Sequence, residues 1–182
     1  MVKKEKYFYI DNIHGLDLNY IKKTKAKLII RDKKIKKLSE YLNLIKKCKS
    51  HNISVYVANN VKLLFKLKLN NFYISSSNKK KYLSLIKIKK NISIIGSAHN
   101  YKEIREKIEQ GCTIIVLSRL FKSKKIGYLD IFKFNFLTLN NKISFIALGG
   151  INENNYNKLN IVNCYGVAMM SALFNKPRFL TR

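Results

Sequence analysis

Acidic residues are few. Ten Asp and Glu stand against 37 Lys and Arg in a chain of 182, for a formal net charge of +27. Such an excess is a first mark of a nucleic-acid binder, because lysines that neutralise phosphates release counterions. Only five of the 37 are arginine, however, and the basic residues run through every segment, without the concentrated charge and aromatic platforms of a dedicated nucleic-acid surface. The distribution argues against nucleic acid as the partner and for a lysine-coated surface whose field draws in polyphosphate ligands. Cysteine is scarce too. Cys48, Cys112 and Cys164 are odd in number, far apart and without a C-x-x-C pair, so neither a disulfide framework nor a zinc site is indicated and all three are expected in the core. No apolar run approaches the roughly 18 residues of a membrane-spanning helix, and "MVKKEKYFYIDN" has no apolar stretch of signal-peptide length. The expectation is a cytoplasmic protein with no membrane partner; composition leaves homo-oligomerisation open. Proline occurs once, at Pro177, in a tail "FNKPRFLTR" expected from about residue 174 to lie outside the main fold as a loose or docking end.

What is present is an alternation. Apolar content of 47% excludes wholesale disorder, and 182 residues suit a single domain with one core. Eight strand-like runs occur: "KYFYI" (6–10), "KLIIR" (27–31), "SVYVAN" (54–59), "NFYIS" (71–75), "SIIGSA" (93–98), "TIIVLS" (113–118), "SFIALGG" (144–150) and "YGVAMMS" (165–171). Between them lie helix-like spacings. Ile35, Leu38, Leu42, Ile45 and Cys48 recur at three- and four-residue intervals, and "NYKEIREKIEQG" sets Asn100 as N-cap and Gly111 as C-cap around Ile104 and Ile108. Continuous apolar strands each followed by a helix imply a parallel sheet covered on both faces. Eight repeats point to a closed (β/α)8 TIM barrel, and because such barrels usually take ~250 residues, its helices must be shortened. A doubly wound open sheet is the alternative.

In such a barrel the chemistry sits where strands end and loops begin. Those positions here hold cations, hydroxyls, amides and glycines and almost no carboxylate, which suits phosphate binding and not hydrolysis by paired acids. In "ISFIALGGINENN" an apolar run stops on Gly149-Gly150 and passes at once into an Asn-rich segment. Glycines let main-chain N–H groups approach an anion closely, and a helix N-terminus favours negative charge. With "YGVAMMS" this run supplies the seventh and eighth strand ends, where barrels commonly bind a phosphate group.

The segments "LIIRDK", "VYVANN", "IIGSAHNYKEI", "VLSRLFKSKKIGYL", "FIALGGIN" and "YGVAMMSAL", spread in this order from about residue 6 to 173, resemble the thiamine phosphate synthase and thiazole tautomerase family. The resemblance implies a transferase that joins an aminopyrimidine methyl diphosphate to a thiazole phosphate, giving thiamine monophosphate and diphosphate with Mg2+, so phosphorylated thiamine precursors are the implied partners. It implies that Arg31 and Lys33 grip the diphosphate with help from Asn59, that Ser97 lies near the leaving group, and that Lys125 belongs to the same catalytic set. Ser123, Lys124, Gly149, Gly150, Met170 and Ser171 are the implied phosphate contacts. Three positions depart from the family: Ile29 replaces a Gln, Asn60 replaces a metal-binding Asp and remains the nearest candidate ligand, and "ISSSNKKK" offers Asn78 and Lys79 where a second Asp is expected. Losing both carboxylates removes the hard oxygen ligands that magnesium prefers. Arg119 stands where the tautomerase needs a histidine, which disfavours that activity.

Plainer readings stand beside these. Arg31 and Lys33 could be solvated strand-end charges, Lys124 and Lys125 members of a lysine run, Met170 a core filler and His99 a capping or packing residue. At the level of the whole chain, the rivals to a synthase are a phosphate-binding barrel of the same family with impaired chemistry and a basic nucleic-acid-binding protein.

Overall fold

Burial on two faces makes each strand an unbroken apolar run. The computed structural model describes residues 4–31, 37–123, 126–139 and 141–181. Its strands are β1 (Glu5–Ile10), β2 (Lys27–Ile30), β3 (Val55–Ala58), β4 (Asn71–Ile74), β5 (Ser93–Ala98), β6 (Ile114–Ser118), β7 (Ser144–Leu148) and β8 (Gly166–Met169). All neighbours pair in parallel, and β8 pairs back onto β1, so the sheet closes into a barrel in sequence order. Alternate residues along each strand face opposite ways. Tyr7, Tyr9, Ile29, Tyr56, Tyr73, Ile95, Val116, Ile146 and Ala168 fill the interior, while Phe8, Ile10, Leu28, Ile30 and their counterparts pack outward against the helices. Four tyrosines thus occupy a small barrel core, meeting edge to face in the pairs Tyr7–Tyr56 and Tyr9–Tyr73.

The helices are α1 (Leu18–Thr24), α2 (Leu38–Ser50), α3 (Val61–Lys66), α4 (Leu83–Ile88), α5 (Tyr101–Glu109), α6 (Asp130–Thr138), α7 (Glu153–Tyr156) and α8 (Ala172–Asn175). The open-sheet alternative is therefore set aside, and the shortened helices are real: α7 and α8 are four residues each. Asp17, Asn60, Asn100 and Asn152 cap their helices with side-chain oxygens on orphan N–H groups. No helix among the described residues is long and apolar enough to cross a membrane.

Three expectations are adjusted. The strand at 144–150 ends at Leu148, because Gly149 and Gly150 turn with φ of +106° and +69°. The inward face of α2 is set by Tyr41, Leu44, Ile45 and Cys48, with Leu42 outward; Ile35 lies outside the described residues. In α5 it is Lys107, not Ile108, that is buried beside Ile104. The tail is docked: Leu180 is fully buried, its carbonyl accepts from Lys6 Nζ at 2.7 Å, and Phe179 packs on Tyr156.

Candidate functional site

At the end of β2, Arg31 donates its main-chain N–H to the Ile10 carbonyl at 2.8 Å, which extends the β1–β2 pairing by one residue. Its side chain is clamped twice. Nε and Nη2 donate to the two carboxylate oxygens of Asp11 at 3.0 and 2.8 Å, and the guanidinium lies 4.5 Å over the Tyr9 ring. Asp11 was missed in the sequence, although an acid directly after one strand, level with a base directly after the next, is a readable signal in a parallel pair. Lys33 lies outside the described residues.

Beneath Arg31 the Tyr9 hydroxyl donates to that of Tyr73 at 3.1 Å, and Ser97, on the inner face of β5, lies close enough to the Tyr73 hydroxyl to influence it. Burial, the largest cause at both phenols, pushes their pKa values up, so they remain neutral at ordinary pH. Ser97 therefore stands in the barrel mouth as expected, but within a hydroxyl cluster that the sequence did not reveal, because only barrel closure brings β1, β4 and β5 together.

Asn59 adopts a left-handed conformation, φ +58°, and spends its amide on the loop after β4. Its Oδ1 accepts from Ser75 N at 3.0 Å and Asn78 Nδ2 at 2.9 Å, and its Nδ2 donates to Ser75 Oγ at 2.9 Å. Nδ2 carries two hydrogens, of which that bond uses one. Asn60 points elsewhere: its Oδ1 accepts Leu63 N at 2.9 Å as the cap of α3. The loop is anchored from behind by Lys107, whose Nζ donates to the Asn78 carbonyl at 2.7 Å and to Gln110 Oε1 at 2.8 Å. Desolvation lowers the Lys107 pKa. Gly96 makes room for it, since a Cβ there would come within 3.0 Å of the Lys107 stem and 2.8 Å of Cys112 Sγ. Lys79 forms an ion pair with Glu106 of α5.

The β6–β8 side of the mouth is built differently. Leu120 N donates to the Leu148 carbonyl at 2.9 Å and Phe121 N to that of Gly149 at 3.0 Å, so the loop after β6 lies directly along the glycine pair. A Cβ on Gly150 would meet the Lys122 and Phe121 carbonyls at 2.5 and 2.6 Å, and one on Gly149 would meet Arg119 Cβ at 2.8 Å. Both glycines thus have a steric reason as well as a conformational one. Arg119 crosses its own loop to the Gly127 carbonyl at 2.9 Å and to that of Ile126. The Gly150 carbonyl accepts from Asn155 Nδ2 at 2.8 Å and Asn152 Nδ2 at 3.3 Å, which accounts for the amide-rich segment after the glycines. Ser123 is exposed on the β6–α6 loop; Met170 and Ser171 are exposed where β8 ends. Lys124 and Lys125 lie outside the described residues.

Among the described residues, the side chains at the mouth do not fit a protein-held magnesium ion. Asp11 is committed to Arg31, Asn60 to a helix cap and Lys79 to Glu106, and among the described residues no group of three His, Cys, Asp or Glu is gathered. His99 accepts its plainer role: its N–H and ring Nδ1 both lie 2.9 Å from Glu103 Oε2 at the start of α5. A cavity of about 310 Å3 opens at the rim, between the segment after β1 and α2, and none of the expected site residues lines it.

Comparison with known proteins agrees with this geometry. A sequence model of the thiamine monophosphate synthase family matches residues 18–173. A thiamine-phosphate synthase from Prochlorococcus marinus is 34% identical over 84 residues, which is 44% of this chain and 24% of that protein; the chain thus matches about a quarter of that relative's length. Among solved structures, a thiamine phosphate pyrophosphorylase from Pyrococcus furiosus superposes with a TM-score of 0.75 at 14% identity, covering 97% of this chain and 95% of the other. N-(5'-phosphoribosyl)anthranilate isomerase from the same organism gives 0.66 at 14% identity, over 93% and 88%. At such identities the superpositions speak for the barrel alone.

Proposed function

The chain belongs to the thiamine monophosphate synthase family, and from that premise we propose that it joins an aminopyrimidine methyl diphosphate to a thiazole phosphate, as a transferase releasing diphosphate. The observation that carries the reading is Arg31, held at the barrel mouth by both oxygens of Asp11 and by the Tyr9 ring. A leaving diphosphate gathers negative charge as its bond to carbon breaks, and a cation already fixed in place stabilises that charge without reorganising. Arg31 is assigned this role, with Asn59 helping it and the Ser97, Tyr73 and Tyr9 hydroxyls forming the neutral floor under the reacting carbon; the family resemblance adds Lys33 and Lys125 to the same set. The thiazole phosphate is assigned to the opposite side, against Gly149, Gly150, Met170, Ser171, Ser123 and Lys124. Magnesium, which the family implies, finds no carboxylate pair among the described residues of this mouth, so the reading assigns charge stabilisation to basic side chains. A cytoplasmic setting accords with three buried free thiols, of which burial pushes Cys48 to about 11 and Cys112 to about 12.

The test is a single-turnover reaction of purified protein with pyrimidine diphosphate, thiazole phosphate and magnesium, beside Arg31→Ala. The expected result is thiamine phosphate formed by the wild type and reduced about a thousandfold in the variant. Thiazole phosphate bound without product would leave a phosphate-binding barrel and sink the transferase reading.

A further inference from the structure

Helix α6, "DIFKFNFLT", carries large apolar residues on both its inner and its outer side, as a helix covered twice does. One side is covered: Phe134 is fully buried and Thr138 nearly so. The other carries Phe132 at 80% exposure and Phe136 at 71%, one turn apart, with Leu139 at 59% continuing the stripe. Ile161 extends it, exposed to 67% and placed beside the helix by the Asn135 Nδ2 bond to its carbonyl at 2.9 Å. Ile126, at 98%, and Tyr128 lead into the helix from the loop after β6.

The charge pattern narrows what fits there. In a chain of net charge +27, the described residues 126–139 contain one base, Lys133, and one acid, Asp130. The outward faces of α2 and α5, by contrast, carry Lys46, Lys47 and Lys49, and Lys102, Arg105 and Glu109. An anionic partner would seek the lysines and gain nothing from this face. A second copy meets the reverse situation, because its basic surface is repelled least where charge is sparse, and the exposed bases here are Lys133 on α6 and Lys158 beside Ile161. Six side chains at these exposures offer on the order of 800 Å2, about what each partner contributes to a stable interface.

We propose that the Phe132–Phe136 face of α6 is the interface of a two-fold symmetric dimer of this chain. The dimer covers the outer side of α6 and the exposed end of the loop whose other end packs on Gly149 and Gly150. This assignment is independent of the proposed activity, so the two succeed or fail separately.

Sedimentation velocity across a concentration series tests it at low and high salt. The wild type is expected to dimerise, and its dissociation constant to fall several-fold when screening rises from about 0.05 to 0.5 M NaCl, because the contact is apolar and the long-range force between copies is repulsive. Phe132→Glu with Phe136→Glu should weaken association at least about a hundredfold while the melting curve stays near that of the wild type. Phe136→Ser, which adds no charge, should weaken it less but in the same direction. A wild type that remains monomeric at about 100 μM in high salt, a dimer indifferent to all three substitutions, or association that weakens with salt would overturn the assignment; the last would point to an anionic partner instead.

Discussion

The two sides of the barrel mouth do similar work by opposite means. On the β1–β5 side, side chains hold one another: Arg31 to Asp11, Asn59 to Ser75 and Asn78, Tyr9 to Tyr73. On the β6–β8 side the main chain does the shaping, with two glycines pressed against the carbonyls of the neighbouring loop. A side-chain network tolerates replacement of one member by relaxation of the rest, whereas a backbone contact has nowhere to move. The most damaging single change is therefore expected on the glycine side. Gly150→Ala puts a Cβ 2.5 Å from the Lys122 carbonyl at φ +69°, and should cost about 3 kcal/mol in a urea titration. Gly149→Ala should cost less, because its nearest contacts are side-chain atoms of Arg119. Equal effects, or none at Gly150, would mean that the β6 loop yields and that the contrast between the two sides is wrong.

On the other side the expected effect falls on rate before stability. Asp11→Asn keeps one hydrogen bond to Arg31 but loses the charged fork that sets its plane. If Arg31 must be held in place to act, turnover should fall about tenfold while the urea midpoint barely moves, since misplacing a catalytic group is costly and an exposed ion pair contributes little to stability. An unchanged rate would show that Tyr9 alone orients Arg31.

Much of the fold was legible because two-sided burial writes each strand as an apolar run, and parallel β/α order admits few architectures. Strand ends were less so: glycine and methionine extend an apolar pattern past the point where the backbone turns, as at Gly149 and Met170. Helix faces read from apolar residues alone centre α5 on Ile104 and Ile108, whereas the structure buries Lys107, its charge met by the Asn78 carbonyl and Gln110. In the site, residue types at strand ends could be found by position. What each binds was harder to find: Asp11 with Arg31 needs the β1–β2 register, and Tyr9 with Tyr73 meet only across the closed barrel. The glycine pair is the instructive case, since close loop packing accounts for both residues without an anion.

The tyrosine core sharpens the comparison at smaller cost. Tyr7 Oη is buried and has no hydrogen-bond partner among the described residues, while the Tyr73 hydroxyl accepts from Tyr9. Tyr7→Phe should leave stability unchanged or raise it by about 1 kcal/mol, and Tyr73→Phe should lower it by about the same amount. Burial raises the folded pKa of Tyr7, Tyr9 and Tyr73 above the unfolded value of 10.0. The unfolded chain then loses these protons first, so their stabilisation is complete below pH 10 and declines as pH rises above it. Urea midpoints between pH 8 and 11 should show that decline, and it should be shallower in Tyr9→Phe. A decline identical in variant and wild type would assign the alkaline loss to the surface lysines.

The smallest effect concerns Asn60, which the family resemblance sets where a metal-binding Asp is expected and whose oxygen here caps α3. If capping is its work, Asn60→Ala should cost about 1 kcal/mol, whereas Asn60→Asp should cost almost nothing because an aspartate caps equally well. If the position still faces the mouth as a ligand, Asn60→Asp should instead gain a magnesium-dependent rise in melting temperature, absent from the wild type, since a carboxylate is the oxygen donor that ion prefers. Thermal melts of both variants with and without magnesium separate the two outcomes. A cap-only result would mean that the β1–β5 side has turned a metal position into a helix start, leaving Arg31 as its fixed positive charge.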